Sequence, residues 1–242
     1  MQDQKLVQRS ILALDQMSES EIMQNIEKHY PDINFYKIGL EQFCLHGPGL
    51  ISRIKEKFSD YDLKFFLDLK LHDIPKTVAQ AIKSLSGMPV SFLTIHLGGG
   101  PEMVKAALES AKEHLPDTTI LGVSFLTSID SESLYRTYGI DPSQFESSFK
   151  QIVKMGSEVG LKGLVCSIND LNMVQSIDKN LQTVCPGIRF QDQISSGDNQ
   201  DQKRVATPEF AKEQDASYIV IGRALTQAGD KWEERMDSLK SL

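Results

Sequence analysis

The sequence lacks most of the features that tie a chain to a membrane, a metal or a nucleic acid. No run approaches the ~20 consecutive apolar residues of a membrane span, and Met1-Gln2-Asp3-Gln4-Lys5 has no apolar signal core, so a cytoplasmic protein is expected. There is no excess of positive charge: the formal net charge is -7, which argues against nucleic acid as a main partner but leaves room for an anionic small molecule. The cysteines, Cys44, Cys166 and Cys185, are odd in number and widely spaced, with no metal-ligand pattern, and read as reduced thiols. The histidines show no H-x-x-x-H spacing, no Gly-x-Gly-x-x-Gly marks a dinucleotide site, and no metal or cofactor is expected. No Pro/Ser-rich linker, usable repeat or low-complexity tract divides the chain.

What is present is alternation. Apolar runs over Ser10–Asp15, Phe35–Leu40, Phe65–Asp73, Val90–His96, Thr119–Leu126, Gly163–Ser167, Gln182–Arg189 and Tyr218–Arg223 read as strands. Segments with helical spacing follow them. Ser18 and Glu21 fit a capping box, the second helix opens at Gly47-Pro48-Gly49, and Ser131–Ile140 is a short helical excursion. Eight strand–helix units in 242 residues, with 40% hydrophobic content, predict a single (β/α)8 barrel spanning 1–242, close to the ~250 residues usual for that fold. Phe190–Ala206 has no periodicity and reads as a lid or binding loop, or else as a disordered segment.

The third strand organises the rest. Side chains alternate along a strand, so Phe65, Leu67, Leu69 and Leu71 share one face, and Phe66, Asp68, Lys70 and His72 the other. Asp68 and Lys70 stand ~7 Å apart along that face at ~3.3 Å per residue. In a parallel sheet covered on both faces, such charges are buried and costly unless paired. Two carboxylates, Asp68 and Asp73, bracketing one ammonium at a strand's carboxyl end therefore look like a site. Ile74-Pro75-Lys76-Thr77 opens a helix, with proline where its missing N–H costs nothing.

Barrel active sites lie at the carboxyl ends of the strands, and phosphate is often held after strands seven and eight. Pro186-Gly187-Ile188-Arg189 and Gly222-Arg223 stand in those places. Glycine allows close backbone approach, and arginine offers a fork of donors. The other polar strand ends are open to blander readings. Asp15 also fits a turn residue, Lys37 a snorkelling amine, His96 a core histidine bonded to a carbonyl, and Thr127-Ser128 a cap. Together, Asp15, Lys37, Asp68, Lys70 and Asp73 form an alternating charge array. Acidic neighbours favour the charged form of Lys70, which suits a proton donor rather than a Schiff-base nucleophile.

Asp68-Leu69-Lys70-Leu71-His72-Asp73-Ile74-Pro75-Lys76-Thr77 resembles the signature of the orotidine 5'-phosphate decarboxylase family. So do Leu14-Asp15, Tyr36-Lys37-Ile38-Gly39, Leu126-Thr127-Ser128, Pro186-Gly187-Ile188-Arg189, Asp201-Gln202-Lys203-Arg204 and Ile221-Gly222-Arg223, which follow in family order along nearly the whole chain. The resemblance implies cofactor-free decarboxylation of orotidine 5'-monophosphate to UMP, the last step of pyrimidine nucleotide synthesis, by a homodimer with shared sites. It makes Lys70 the proton donor to carbon 6 and sets Asp68 against the substrate carboxylate. Asp73 and Thr77 would come from the partner subunit. Asp15 and Lys37 would hold the ribose, Thr127 the pyrimidine, Gln202 both base and phosphate, and Arg189, Gly222 and Arg223 the phosphate. Two features depart from the pattern: Lys76 stands where asparagine is usual, and the Arg189–Gln202 interval is longer, which makes Gln200 an alternative to Gln202. Two other readings compete: a related barrel decarboxylase of the 3-keto-L-gulonate 6-phosphate type, which resemblance makes magnesium-dependent, and a non-catalytic phosphonucleotide-binding barrel.

Overall fold

A computed structural model describes residues 4–195 and 205–242. Gln200 and Gln202, both expected in the lid, lie outside the described residues.

Eight parallel strands close into a barrel in sequence order. They are β1 (Ser10–Ala13), β2 (Phe35–Gly39), β3 (Lys64–Leu71), β4 (Phe92–His96), β5 (Thr119–Val123), β6 (Gly163–Val165), β7 (Gln182–Cys185) and β8 (Tyr218–Ile221). β1 closes the ring by pairing with both β2 and β8. The expected (β/α)8 barrel is what forms.

Strand alternation divides the core into two layers. Inward residues Ile11, Phe35, Phe66, Phe92, Leu121, Val184 and Val220 fill the barrel. Phe92 meets Phe35, Phe66 and Tyr218 at centroid distances of 5.0, 6.0 and 5.2 Å, in the tilted and edge-on geometries that ring quadrupoles favour. This aromatic plug closes the lower barrel and leaves its upper mouth hollow. Outward residues such as Leu12, Ile38, Phe65, Leu67, Leu93 and Ile219 pack beneath the helices.

Local signals place most of the helices where the sequence expects them. Ser18 and Glu21 make the reciprocal capping box: the Glu21 carboxylate accepts the Ser18 N–H at 2.8 Å, and the Ser18 hydroxyl accepts the Glu21 N–H at 3.3 Å. Pro75 begins the helix Pro75–Ser84, and Ser131–Tyr138 is helical. Unexpected are the short helices Gln191–Ser195, inside the stretch read as aperiodic, and Arg223–Thr226 after β8, and a helix over Leu40–His46, preceding the expected one at Gly49–Lys57. The Leu40–His46 helix carries no apolar stripe toward the core, since Leu40 and Leu45 are 57% and 69% exposed, so its periodicity is silent. Among the described residues no helix is long and apolar enough to cross a membrane.

β3 also departs from regular alternation. Leu67 pairs with Leu93 but Leu71 pairs with Ile95, so four residues of β3 advance against two of β4. This bulge places Lys70 at φ 49, a left-handed conformation unusual for a long side chain. His72 is consequently off the inner face and exposed.

Candidate active site

The cavity in the barrel mouth has a volume of about 370 Å³. Its floor is apolar: Ala13, Phe66, Val123, Val165 and Val220. Above this floor, one wall carries the charge array. Lys37 Nζ donates to both Asp15 oxygens, at 2.9 and 2.7 Å, and stands 3.7 Å from Asp68 Oδ2. Lys70 Nζ donates to Asp68 Oδ1 at 2.7 Å. Acid and base thus alternate Asp15–Lys37–Asp68–Lys70 across the ends of β1, β2 and β3.

Burial is graded along the array. The Lys37 and Asp68 side chains are 10% and 15% exposed, whereas those of Asp15 and Lys70 are 40% and 37% exposed. Burial alone would push the Asp68 carboxyl up. Lys37 and Lys70 nearby, with hydrogen bonds from Lys70 and Thr94, outweigh it and hold this carboxyl below its ordinary value. Asp68 is therefore an anion fixed between two cations, with the partly exposed Lys70 at the outer edge of the array.

Gly39 makes room for this arrangement. A Cβ at that position would overlap Asp15 Oδ1 and lie 3.1 Å from Lys37 Nζ. The glycine belongs to the site for steric reasons that its φ of -81° does not reveal.

The rest of the cavity is lined by Phe125, Leu126, Thr127 and Ser128 after β5, and by Pro186, Gly187, Arg189, Gly222, Arg223 and Thr226 after β7 and β8. Gly187 has φ 83, so the turn itself calls for glycine. Arg189 is buried and donates to the Ile188 carbonyl at 2.9 Å. The Arg189 N–H also bonds the Ala206 carbonyl at 2.9 Å, across an isolated bridge between Ile188 and Ala206. Arg235, from the helix Trp232–Ser241, braces both arginine-bearing segments: it donates to Asp192 at 2.6 Å and to the Ala224 carbonyl at 2.7 Å.

Of the expected site residues, the cavity gathers Asp15, Lys37, Asp68, Lys70, Thr127, Arg189, Gly222 and Arg223. Asp73 and Thr77 are not among them. Both are exposed on the rim, where Asp73 accepts the Ile74 N–H at 2.7 Å. His96 is neither deep in the core nor bonded to a carbonyl. It is half-buried, its Nδ1 accepts the Gly98 N–H at 3.1 Å, and its ring stacks on His72 at 4.8 Å. Sequence reasoning missed Gln16, Phe125 and Thr226 in the lining, and Thr94 beneath Asp68. Thr94 lies two residues after the inward-facing Phe92, so period-2 counting along β4 is the signal that would have found it. Among the described residues no cluster of three or more His, Cys, Asp or Glu side chains is placed to hold a metal ion.

The model of the orotidine 5'-phosphate decarboxylase / HUMPS family matches residues 8–235. The chain belongs to that family. It is 37% identical over 226 residues to an orotidine 5'-phosphate decarboxylase of Bacillus anthracis, covering 91% of each chain. It is 38% identical over 223 residues to that of Bacillus cytotoxicus, covering 90% of each. Among solved structures, orotidine 5'-phosphate decarboxylase from Lactobacillus acidophilus superimposes with a TM-score of 0.76 at 28% identity, over 97% of this chain and 100% of that one. An uncharacterized conserved protein from Geobacillus kaustophilus gives the same TM-score and identity, over 95% and 99%. Both Bacillus relatives, matched over nine-tenths of their length, are named as nucleotide decarboxylases.

Proposed function

We propose that this chain converts orotidine 5'-monophosphate to UMP and carbon dioxide, the last step of UMP synthesis. The observation that carries this is the Asp15–Lys37–Asp68–Lys70 array on the wall of a cavity whose lining also bears Arg189 and Arg223. A phosphate held by Arg189, Gly222 and Arg223 leaves the pyrimidine against the lysine-bearing wall. Thr127 meets the base, and Asp15 and Lys37 take the ribose hydroxyls. The site then needs no covalent chemistry from the protein. When the bond between carbon 6 and the carboxylate breaks, the electron pair stays on carbon 6 in the ring plane, with little delocalisation. The ammonium of Lys70 stabilises it by a preorganised charge and then transfers a proton from Nζ to carbon 6. Asp68 holds that ammonium and faces the departing carboxylate, which favours its loss. Phosphate contacts supply binding energy remote from the reacting bond.

The exposed rim supports a homodimer. Asp73 and Thr77 lie beside Ile74, an apolar side chain 65% exposed, and the helix Leu40–His46 with its exposed Leu40 and Leu45 packs against the same strand. An isologous pairing of this rim would carry Asp73 and Thr77 of the partner subunit to each cavity. Nucleic acid and membrane have no place in this reading, and the enzyme is cytoplasmic.

The test is spectrophotometric. Purified protein with orotidylate, EDTA and no added metal should consume the substrate's absorbance and yield UMP in equal amount. Binding of UMP without any turnover of orotidylate would refute the reading, as would turnover confined to a sugar phosphate with added magnesium.

A further inference from the structure

We propose that Thr94 is a positioning residue for the reaction, setting the relative placement of Asp68 and Lys70 through a single hydroxyl shared between them. The inference rests on the decarboxylase reading above.

Thr94 is fully buried. Its Oγ1 donates to Asp68 Oδ1 at 3.0 Å and accepts the Lys70 backbone N–H at 2.9 Å. The two bonds fix each other's direction. An amide N–H can only donate, so the hydroxyl's one proton must go to the carboxylate. Asp68 Oδ1 thus receives two donors, Thr94 Oγ1 and Lys70 Nζ at 2.7 Å. The other oxygen, Oδ2, is left facing Lys37 across 3.7 Å. Without the hydroxyl, nothing from β4 prevents the carboxylate from rotating about its last bond and exchanging these roles.

The second half of the tie concerns the lysine's own backbone. The bulge between the Leu67–Leu93 and Leu71–Ile95 pairs takes Lys70 out of the regular β3–β4 ladder. Its N–H loses a carbonyl partner there, and its φ of 49 is one that long side chains adopt only when their surroundings hold them. The Thr94 hydroxyl replaces the missing ladder bond. A residue without a side-chain oxygen at position 94 would leave this amide unsatisfied. The bulge could then relax toward regular pairing, and any change of register re-aims the side chains beyond it. One buried hydroxyl therefore holds the lysine's main chain and the carboxylate that its ammonium contacts.

The groups facing Asp68 are Lys37 from β2, Lys70 on β3 and Thr94 from β4, with Asp15 behind Lys37. Thr94 is the uncharged donor in that set. Removing it should raise the carboxyl's titration toward its ordinary range, and so move the acid limb of kcat to higher pH.

The variants are Thr94→Val, which keeps the shape and removes the hydroxyl, Thr94→Ala in case the valine form does not fold, and Thr94→Ser, which keeps the hydroxyl. Losing a charge-assisted hydrogen bond predicts that kcat for orotidylate falls roughly 10- to 100-fold in Thr94→Val, with UMP affinity within about threefold of wild type. Thr94→Ser should recover most of the lost turnover, and the acid limb should rise in the valine and alanine forms but not in the serine form. Hydrogen exchange at the Lys70 amide should quicken in the valine and alanine forms but not in the serine form. A valine variant with wild-type kcat, an equal loss in Thr94→Ser, or an unmoved acid limb would overturn the proposal. The two readings fail separately. A wild-type chain inactive on orotidylate sinks the decarboxylase reading and with it the kinetic role, whereas unchanged Lys70 exchange in the valine form sinks the tie itself, whatever the substrate.

Discussion

Gly39→Ala adds one carbon to the site and should reveal how the ribose end of the array works. The glycine backbone is extended, with φ -81° and ψ 175°, so alanine meets no backbone obstacle. The new Cβ meets the Asp15 carboxylate instead: it would overlap Oδ1, with Cγ at 3.2 Å. The carboxylate is 40% exposed and can swing toward solvent, which makes this the path of least resistance. Lys37 then loses its two bonds of 2.9 and 2.7 Å and keeps only Asp68 Oδ2 at 3.7 Å. Because Asp15 is well solvated, folding should lose only about 1 kcal/mol or less, a fall in Tm of roughly 2–4 °C for a chain of this size. Substrate recognition should lose more. A hydrogen bond to a charged group is worth about 1.5–3 kcal/mol, so kcat/KM for orotidylate should fall roughly 10- to 150-fold, carried mainly by KM because Asp15 is assigned to the ribose and not to the reacting carbon.

The assay is steady-state kinetics on wild type, Gly39→Ala, Asp15→Ala and the double variant. If the alanine works by displacing Asp15, it should cost little more once Asp15 is gone, giving a coupling energy close to the whole effect of the single change. The reasoning would be refuted by a kcat/KM within about twofold of wild type, by full additivity of the two changes, or by a loss confined to kcat.

Three further outcomes are expected. Lys70→Ala should fold and bind UMP yet lose orotidylate turnover by several orders of magnitude, because both the stabilising charge and the proton source go together; circular dichroism with a turnover assay checks it, and near-normal activity would remove Lys70 from its role. Equal mixing and reassociation of inactive Lys70→Ala and Asp73→Asn proteins should restore about one quarter of wild-type activity, since in a symmetric dimer each mixed pair regains one intact site; no recovery after verified subunit exchange would rule out a shared site. Finally, His29 is buried, its Nδ1 lies 2.7 Å from the Asn25 carbonyl, and its Nε2 accepts the Trp232 indole N–H at 2.9 Å. Burial lowers its pKa below 6.5, so the neutral ring's contribution is full above that value and declines as pH falls toward the folded-state pKa. Fluorescence of Trp232, the sole tryptophan, should report weaker docking of the C-terminal helix on acidification from neutral pH, and His29→Gln should flatten that response.

How much of this was legible in the sequence depends on the kind of signal. The barrel could be read because its strands are apolar, their helices periodic, and their polar residues stand out by contrast: Asp15 closes an apolar run, Lys37, Asp68 and Lys70 interrupt one, and each lines the cavity. Arg189 and Arg223 were readable from their position after the last two strands, where barrels often hold phosphate. The helix Leu40–His46 was not, because its leucines face outward and give no inward stripe for periodicity to detect. Asp73 was readable as chemistry and Thr77 only through the family resemblance, and neither is in the cavity of one chain.

Gly39 and Thr94 show a different limit. Neither departs from what its strand would contain for ordinary reasons, a glycine before a helix and a β-branched residue in a sheet. Their importance is relational: Gly39 matters because Asp15 leans over it, and Thr94 because the Lys70 backbone leaves the ladder. No residue of the signature from Asp68 to Thr77 announces the bulge within it. Strict alternation and the bulged strand both place Lys70 at the cavity, so the correct residue follows from an incomplete backbone. The difference lies in what the lysine needs. A regular strand would hold Lys70 through its neighbours' carbonyls, and any β-branched residue at position 94 would serve. A left-handed lysine needs a side-chain acceptor on the next strand. The kinetic contrast between serine and valine at position 94 therefore measures the backbone of β3 as much as it measures one hydroxyl.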